Sequence, residues 1–329
     1  MIARALQKNN ERDDRLVDKL KNELGPTILA ALADPDVTDI WRNEDGVIWV
    51  NRSGESRALP RDTHPRSDFE VTNLIGTISA HVGVFVSANS PFLEGEMPIG
   101  DGRFTATLPP ESRRPIFSIR KHIEKSLSLT DYVRAGVMTP AQCATIRARI
   151  KAYDNILIAG GQGAGKSTLA GAVLREIFET RDRAKERYAI LEDTREICIP
   201  PGANFFSLRT NAALGTTMDQ IVKRSLRHTA TCYVIGELRG AEAQDFLEVL
   251  AAGQRGGLAT IHAGVGREAL RRFEQLIRKS GRPVDRSEIA SVINLIVVIA
   301  KTAGGARVVR EITRVVDGSG LDYALENIG

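Results

Sequence analysis

The sequence predicts an α/β protein of two domains, a smaller mixed α/β domain followed by a domain built on a parallel sheet. The 329 residues are too many for one small core and suit two domains of roughly 100–200 residues each. From Asn155 onwards short apolar strands alternate with single helices, a pattern typical of parallel sheets. Gly160 to Ser167 also match G-x-x-x-x-G-K-[ST], a phosphate-binding loop that opens a helix.

Residues 1–124 are expected to form the smaller domain. Apolar spacing predicts a helix through Leu16 and Leu24 that breaks at Gly25-Pro26, and a second helix over 70–81. A turn over 43–46 between apolar segments predicts a β-hairpin that carries both tryptophans. Two further strands are expected over 104–108 and 116–119.

The linker is placed at residues 125–140, and the second domain at 141–329. The linker assignment depends on a run of Ser, Thr and Asp residues followed by Gly136. Strands are expected over 156–159, 189–191, 233–235 and 258–261, separated by helices and joined by right-handed crossovers.

Composition excludes several protein classes. Hydrophobic residues at 42% and charged residues at 26% argue against a disordered or fibrous chain. The longest strictly apolar run, Leu295–Ala300, is too short to span a bilayer, and the amino terminus does not resemble a signal peptide. Three dispersed cysteines and five histidines indicate neither a disulfide framework nor a structural metal site. A cytoplasmic protein is expected.

Charge is distributed unequally between the two domains. Residues 1–124 carry 16 basic and 19 acidic side chains, whereas residues 125–329 carry 29 and 22. The second domain is therefore the expected binding site for polyanions, with phosphates as the first candidate and nucleic acid as the second. The first 21 residues hold six basic and four acidic groups, so contact with an anionic membrane surface is expected to be peripheral and weak.

The phosphate-binding loop is the strongest functional motif. Its glycines allow backbone N–H groups to surround a phosphate at a helix N-terminus. Lys166 is expected to bridge the β- and γ-phosphates, and Ser167 to hold Mg²⁺. The expected nucleotide-binding residues are Gly160, Gly161, Gln162, Gly163, Ala164, Gly165, Lys166, Ser167 and Thr168.

Polar side chains follow three of the predicted strands at their carboxyl ends. Glu192-Asp193 follow one strand, Glu237 the next and His262 a third. The carboxyl ends of parallel strands meet at one edge of the sheet, so these groups are expected near the nucleotide.

The sequence around these residues resembles the secretion-ATPase superfamily. The resemblance covers about residues 120–280 and consists of four motifs in order, Walker A, the aspartate box, an atypical Walker B and the histidine box. They lie here at 160–167, 190–196, 234–243 and 257–263. The chain is most similar to the ATPases of conjugative and type IV secretion systems, the TrbB-like branch. The zinc-binding cysteine cluster usual in the type II branch is missing from the sequence.

This resemblance implies a RecA-like second domain, a PAS-like first domain and a homohexameric ring with ATP and Mg²⁺ between the two domains. It implies that Glu237 is the catalytic or Mg²⁺-linked Walker B acid, that Glu192 polarises water and that His262 contacts the γ-phosphate. Arginines of the first domain contact phosphates in this superfamily, and the matching stretch nominates Arg103 and Arg120, with Arg113 and Arg114 as weaker matches. An arginine in this role neutralises charge in the transition state.

Two departures from the superfamily pattern affect the expected coupling between nucleotide state and ring motion. Neither removes a phosphate-binding residue. Gln254 stands where a histidine commonly follows the glycine, and His228 to Thr231 replace an Arg-Pro-Asp sequence before the Walker B strand.

Three functions are compatible with these motifs. The first is a cytoplasmic ring ATPase that powers assembly of, or transfer through, a conjugative or type IV secretion apparatus, with inner-membrane components as its partners. The second is a DNA-directed RecA-like ATPase, for which the basic segment 267–279 is the candidate surface, although it contains a single aromatic residue. The third is an assembly subunit that binds nucleotide without hydrolysing it.

Overall fold

The computed structural model describes residues 2–52, 55–59, 67–100, 102–121, 127–182, 184–200, 202–211 and 215–329; the side chains of residues 2–13 are not described. The chain divides into two compact units, Met1–Ile123 and Glu124–Gly329. Both contain helices and sheets, so the protein is of the mixed α/β class.

Among the described residues of the first unit there are two helices and six strands. They are α1 Ile2–Ala33, β1 Val37–Arg42, β2 Ile48–Arg52, β3 Glu55–Ala58, α2 Asp68–Val82, β4 Phe92–Glu96, β5 Gly102–Thr107 and β6 Ile116–Lys121. The helix α1 bends at Gly25, whose φ of 74° and ψ of 166° are not helical. This bend is where Gly25-Pro26 predicted a break.

The six strands of the first unit form one sheet in the order β3-β2-β1-β6-β5-β4, with every neighbouring pair antiparallel. Alternate residues along β5 and β6 are buried, and they form one core with the apolar residues of α1 and α2. The hairpin predicted around residues 43–46 is present as β1–β2, with Trp41 opposite Trp49.

The second unit contains seven helices and eight strands among its described residues. They are α3 Leu129–Arg134, α4 Pro140–Lys151, β7 Ile156–Ala159, α5 Lys166–Thr180, β8 Tyr188–Glu192, β9 Phe205–Arg209, α6 Met218–Ser225, β10 Cys232–Leu238, α7 Glu242–Ala251, β11 Leu258–Ile261, α8 Gly266–Arg278, α9 Arg286–Val292, β12 Leu295–Lys301, β13 Arg307–Asp317 and β14 Ala324–Asn327.

The eight strands of the second unit form a sheet in the order β14-β13-β12-β7-β11-β10-β8-β9. The six strands from β12 to β9 are parallel to their neighbours, as expected, but β13 and β14 are antiparallel. The four strands that the sequence predicted here, β7, β8, β10 and β11, lie in the parallel part; β13 and β14 add an antiparallel edge that it did not predict. A short turn between β12 and β13 replaces the helical crossover that a parallel neighbour needs.

Helices cover both faces of this sheet. Along β7, Leu157 and Ala159 belong to one buried cluster and Ile156 and Ile158 to another. Because successive side chains of a strand point to opposite faces, the sheet separates two cores. The site is built at the carboxyl edge of these buried strands.

The predicted linker is folded from Leu129 onwards; residues 125–126 lie outside the described part of the chain. Leu129, Tyr132 and Met138 are buried in the same core as β7, so this segment belongs to the second unit. Ser128 and Thr139 each form a capping box and begin α3 and α4. Ser128 and Asp131, polar residues at cap-like positions that indicated the linker, form the capping box of α3.

Among the described residues, no helix combines the length and apolar character that a membrane span requires.

Candidate functional site

The phosphate-binding loop joins β7 to α5. Gly163 and Gly165 have φ values of 67° and 99°, which residues with a Cβ rarely adopt. Gly160 is required because a larger residue lacks space: a Cβ would stand 2.5 Å from the carbonyl oxygen of Ile299 on β12. The loop therefore requires glycine at each of these three positions, and the backbone N–H groups of the first turn of α5 have no partners within the helix.

Lys166 is the first residue of α5 and 92% buried, with a relative exposure of 8%. Its ammonium donates to the carbonyl of Gly161 at 3.3 Å and lies 3.4 Å from Oε1 of Glu237. A buried cation needs a partner of opposite charge. The lysine of the loop and the acid at the end of β10 are thus brought together, as the sequence predicts.

Ser167 does not contact Glu237 in this structure. Its hydroxyl donates to Oε2 of Glu196 at 2.6 Å. Glu196 was not assigned a role from the sequence, although it ends the motif Glu192-Asp193-Thr194-Arg195-Glu196. The hydroxyl expected to hold Mg²⁺ therefore lies beside a carboxylate, an oxygen ligand that Mg²⁺ favours.

Glu237 is surrounded by positive or hydrogen-bonding groups. Nε of Arg239 donates to its Oε2 at 2.6 Å, and Nε2 of His262 lies 3.3 Å from its Oε1. Burial alone raises the pKa of this carboxyl, but Arg239 and Lys166 outweigh that effect and the pKa is lowered overall. Glu237 is ionised at neutral pH.

The segment after β10 is held by side chains that the sequence analysis did not assign. Arg239 also forms an ion pair with Asp193 at 3.3 Å. The buried carboxylate of Glu242 accepts hydrogen bonds from the backbone N–H groups of Arg239 and Gly240, at 2.6 and 2.7 Å. The turn that follows Glu237 is thereby fixed, and with it the direction of the Arg239 side chain.

Glu192 is a buried carboxyl at the end of β8, the strand next to β10. It is 3% exposed and accepts hydrogen bonds from the backbone N–H groups of Glu196 and Ile197, both at 2.9 Å. A Cβ on Gly236 would approach the Glu192 Cγ to 3.0 Å, so the glycine before Glu237 makes room for this side chain. Burial raises the pKa of Glu192 to about 7 despite the two N–H groups that favour its charged form.

His262 follows β11 and is partly exposed, with its ring beside Glu237. Burial, together with the Lys166 ammonium, lowers the pKa of the imidazole, although Glu237 opposes this. The ring is neutral at pH 7 and able to donate one hydrogen bond.

The two expected arginines of the first unit are neighbours. Arg103 and Arg120 stand directly opposite each other on β5 and β6, and Arg103 forms an ion pair with Glu94 at 2.7 Å. Arg114 has a structural partner instead, since its Nε donates to Asp68 at 2.8 Å. Arg113 is exposed, with its backbone N–H bonded to Glu44.

The segment that departs from the superfamily pattern before β10 is fixed by Arg187. Its guanidinium donates to the carbonyl of His228 at 2.7 Å and to the hydroxyl of Thr229 at 3.1 Å. Thr229 has a φ of 54°. Gln254 follows Gly253, whose φ is 100°.

Two cationic side chains at the loop were not predicted. The ammonium of Lys301 lies 3.2 Å from the position of a Cβ on Gly163, and Arg307 lies equally close to that of Gly165. Both residues come from the β12–β13 hairpin, whose contact with the loop is long-range and leaves no motif in the sequence.

Comparison with known families identifies this architecture. The family model described as "Type II/IV secretion system protein" matches residues 23–313, which include the loop and all three strand-end groups. The chain belongs to this family.

Two curated relatives match over nearly their whole length. The probable conjugal transfer protein TrbB of Sinorhizobium fredii is 38% identical over 95% of this chain and 94% of the relative. The conjugal transfer protein TrbB of Rhizobium radiobacter is 35% identical over 92% of this chain and 90% of the relative. The resemblance to the TrbB-like branch is confirmed.

Solved structures support the fold. The ATPase DotB of Legionella pneumophila matches with a TM-score of 0.59 and 20% identity, over 88% of this chain and 79% of that one. DotB of Yersinia pseudotuberculosis matches with a TM-score of 0.62 and 16% identity, over 89% and 78%. At these identities the likeness concerns the fold alone.

Proposed function

We propose that this protein is an ATPase that powers assembly of, or substrate transfer through, a conjugative or type IV secretion apparatus. One observation carries the proposal. The loop lysine, Lys166, and the strand-end histidine, His262, each place a nitrogen within 3.4 Å of Oε1 of Glu237, where a γ-phosphate is expected. The relatives described as conjugal transfer proteins TrbB support the assignment to conjugation.

The finer architecture is part of the same proposal. The second unit is a RecA-like ATPase domain and the first a PAS-like domain, and the protein assembles as a homohexamer that binds ATP. The ring is cytoplasmic and attaches at the inner face of the membrane through protein partners.

The residues at the loop fit ATP with Mg²⁺. The glycine cradle leaves the N-terminus of α5 open to phosphates, and positions 160, 163 and 165 require glycine for space or for backbone conformation. Ser167 and Glu237 would hold the metal, directly or through water, and Glu196 adds a third oxygen group. When bound, the metal neutralises charge that develops on the phosphates.

Hydrolysis then depends on how these side chains redistribute their contacts. Lys166 leaves Glu237 and bridges the β- and γ-phosphates, which frees a Glu237 oxygen. Glu192, once ionised, orients and polarises the attacking water, because its raised pKa makes the carboxylate a stronger base. His262 donates its single N–H to the γ-phosphate.

Arg103 and Arg120 complete the site in this proposal. Arg103 would exchange its ion pair with Glu94 for one with a phosphate, and Arg120, directly opposite on the neighbouring strand, would add a second positive charge. Their planar forks suit the oxygens of a phosphoryl group in transfer.

The alternative of a DNA-directed ATPase gains no support from the basic segment 267–279. Arg267 and Arg271 are paired with Asp322, and Arg278 is paired with Glu274. Asp322 is shared by two arginines, and Arg272 bonds to Gln275, so the face keeps part of its positive charge. The acids of the same unit still reduce its attraction for DNA phosphates. Ionised Glu237 beside Lys166 also argues against a subunit that binds nucleotide without hydrolysing it.

Release of phosphate from ATP tests the proposal. Wild type is expected to hydrolyse ATP, and Lys166→Ala is expected to lose both binding and turnover. Adding single-stranded DNA separates the alternatives. Turnover that appears only with DNA, and that falls steeply with salt, would overturn the secretion assignment in favour of the DNA-directed one.

A further inference from the structure

The β12–β13 hairpin carries two cations against the phosphate-binding loop. Lys301 ends β12 and Arg307 begins β13, and the two residues are direct cross-strand partners. The intervening turn is held by hydrogen bonds from the Thr302 N–H to the Ala306 carbonyl at 2.7 Å and from the Gly305 N–H to the Thr302 carbonyl at 2.9 Å. The positions of both residues are thus fixed by the sheet.

The geometry of the sheet brings this hairpin to the loop. β12 is paired in parallel with β7, with Val298 opposite Ala159. β12 continues where β7 ends, so Ile299 lies against Gly160 and Lys301 against Gly163. Nζ of Lys301 stands 3.2 Å from the Cβ position of Gly163, and Nε of Arg307 stands 3.3 Å from that of Gly165.

Both side chains are exposed and lie among other positive groups. Within the described part of the chain, neither forms an ion pair or a side-chain hydrogen bond. The N-terminus of α5, at Gly165, carries partial positive charge, and Lys166 adds a full charge. Four positive features therefore converge, while the nearby Glu237 is shared among Lys166, Arg239 and His262.

We propose that Lys301 and Arg307 bind the polyphosphate of the nucleotide, on the flank of the loop opposite to Glu237. This inference rests on the proposed function and extends its binding site to a second strand pair. In the strand order β12-β7-β11-β10, the hairpin lies on one side of β7 and Glu237 on the other. The acids thus bind the metal and orient the attacking water, and the hairpin binds the phosphates that are not transferred.

This assignment makes the two residues binding groups rather than catalytic ones. They contact the ground state and the transition state equally, so their loss raises KM and leaves kcat nearly unchanged. Loss of Glu237 has the opposite signature.

Calorimetric titration with ADP and with inorganic pyrophosphate tests the assignment. Lys301→Met and Arg307→Met keep the aliphatic stem over the glycines and remove the charge. Each is expected to raise the Kd for both probes by about 3- to 30-fold, as for a charge-assisted hydrogen bond at an exposed site. Arg310→Met is the matched control, because Arg310 is exposed and lies on the same strand; its Kd is expected to change less than about twofold.

Charge-retaining variants exclude a packing explanation. Lys301→Arg and Arg307→Lys are expected to restore most of the affinity, and unfolding midpoints identify any variant whose fold is disturbed. If Arg307→Met is destabilised, Arg307→Gln provides the same measurement.

Two results would overturn the inference. One is an unchanged Kd for ADP in both methionine variants; the other is weakened ADP binding with unchanged pyrophosphate binding, which places the contact on the nucleoside. Failure of the proposed function looks different, because wild type itself then binds neither probe and Lys166→Ala changes nothing.

Discussion

The buried carboxyl of Glu192 is the residue whose chemistry depends most on its surroundings. Its position after an apolar strand was evident from the sequence, but its pKa was not. The pKa of about 7 results from burial under Gly236 and the surrounding strands, which are distant in sequence. A group with this pKa changes charge in the range where the enzyme works.

Glu192 makes stability depend on pH. The pKa of this carboxyl is near 4.5 in the unfolded chain and about 7 in the folded one. Its favourable contribution to the free energy of unfolding is therefore complete below pH 4.5 and is lost as the pH rises to 7. We expect Glu192→Gln to gain stability relative to wild type over this interval, by about 3 kcal/mol at most, and no further above it. Denaturant unfolding of the nucleotide-free proteins at several pH values measures this difference. A difference that is independent of pH would show that Glu192 titrates normally.

At the scale of elements, the sequence predicted the segments that carry periodicity or a motif. The predicted strands and helices between β7 and α8 are present, as are the β1–β2 hairpin and α2, but β9 follows β8 without a helix between them and was not predicted. The segment Leu295–Ala300 was noted only as an apolar run, although it is the strand beside β7. A short apolar run has no periodicity, and its neighbours in a sheet are set by the tertiary fold.

The sequence predicted only part of the candidate site. Residues in contiguous motifs, such as Lys166 and Glu237, were identified and lie together. Glu196, Arg239, Lys301 and Arg307 were not, because their roles depend on which elements meet in space. The predicted linker is folded for a related reason. Ser128 and Thr139 cap helices whose burial depends on the core of the second unit.

The contact of β12 with the loop predicts different effects of alanine at two adjacent glycines. Gly160→Ala places a Cβ 2.5 Å from the carbonyl of Ile299, whereas Gly161→Ala meets nothing within 4 Å. We expect the first variant to lose about 1–3 kcal/mol of unfolding free energy because the backbone must move. The second is expected to stay within about 0.5 kcal/mol of wild type. Thermal unfolding without nucleotide compares them, and equal losses would contradict the packing of β12 on the loop.

At the scale of the whole molecule, the proposed ring requires that subunits assemble around nucleotide. We expect a mass near six times 35.9 kDa by light scattering with a non-hydrolysable ATP analogue and Mg²⁺, and a smaller mass without them. Mass action favours the assembled form when the ligand binds it preferentially. Lys166→Ala is expected to show no response to nucleotide. A wild-type mass that stays at one chain under all conditions would contradict the ring.

The central claim is that the site around Glu237 hydrolyses ATP, and paired measurements on Glu237→Gln test it most directly. Glutamine keeps the shape of the side chain and removes the charge that faces Lys166. The variant is expected to bind ATP with a Kd within a fewfold of wild type and to release phosphate at least ~100-fold more slowly. Phosphate release at the wild-type rate would place catalysis elsewhere and contradict the account.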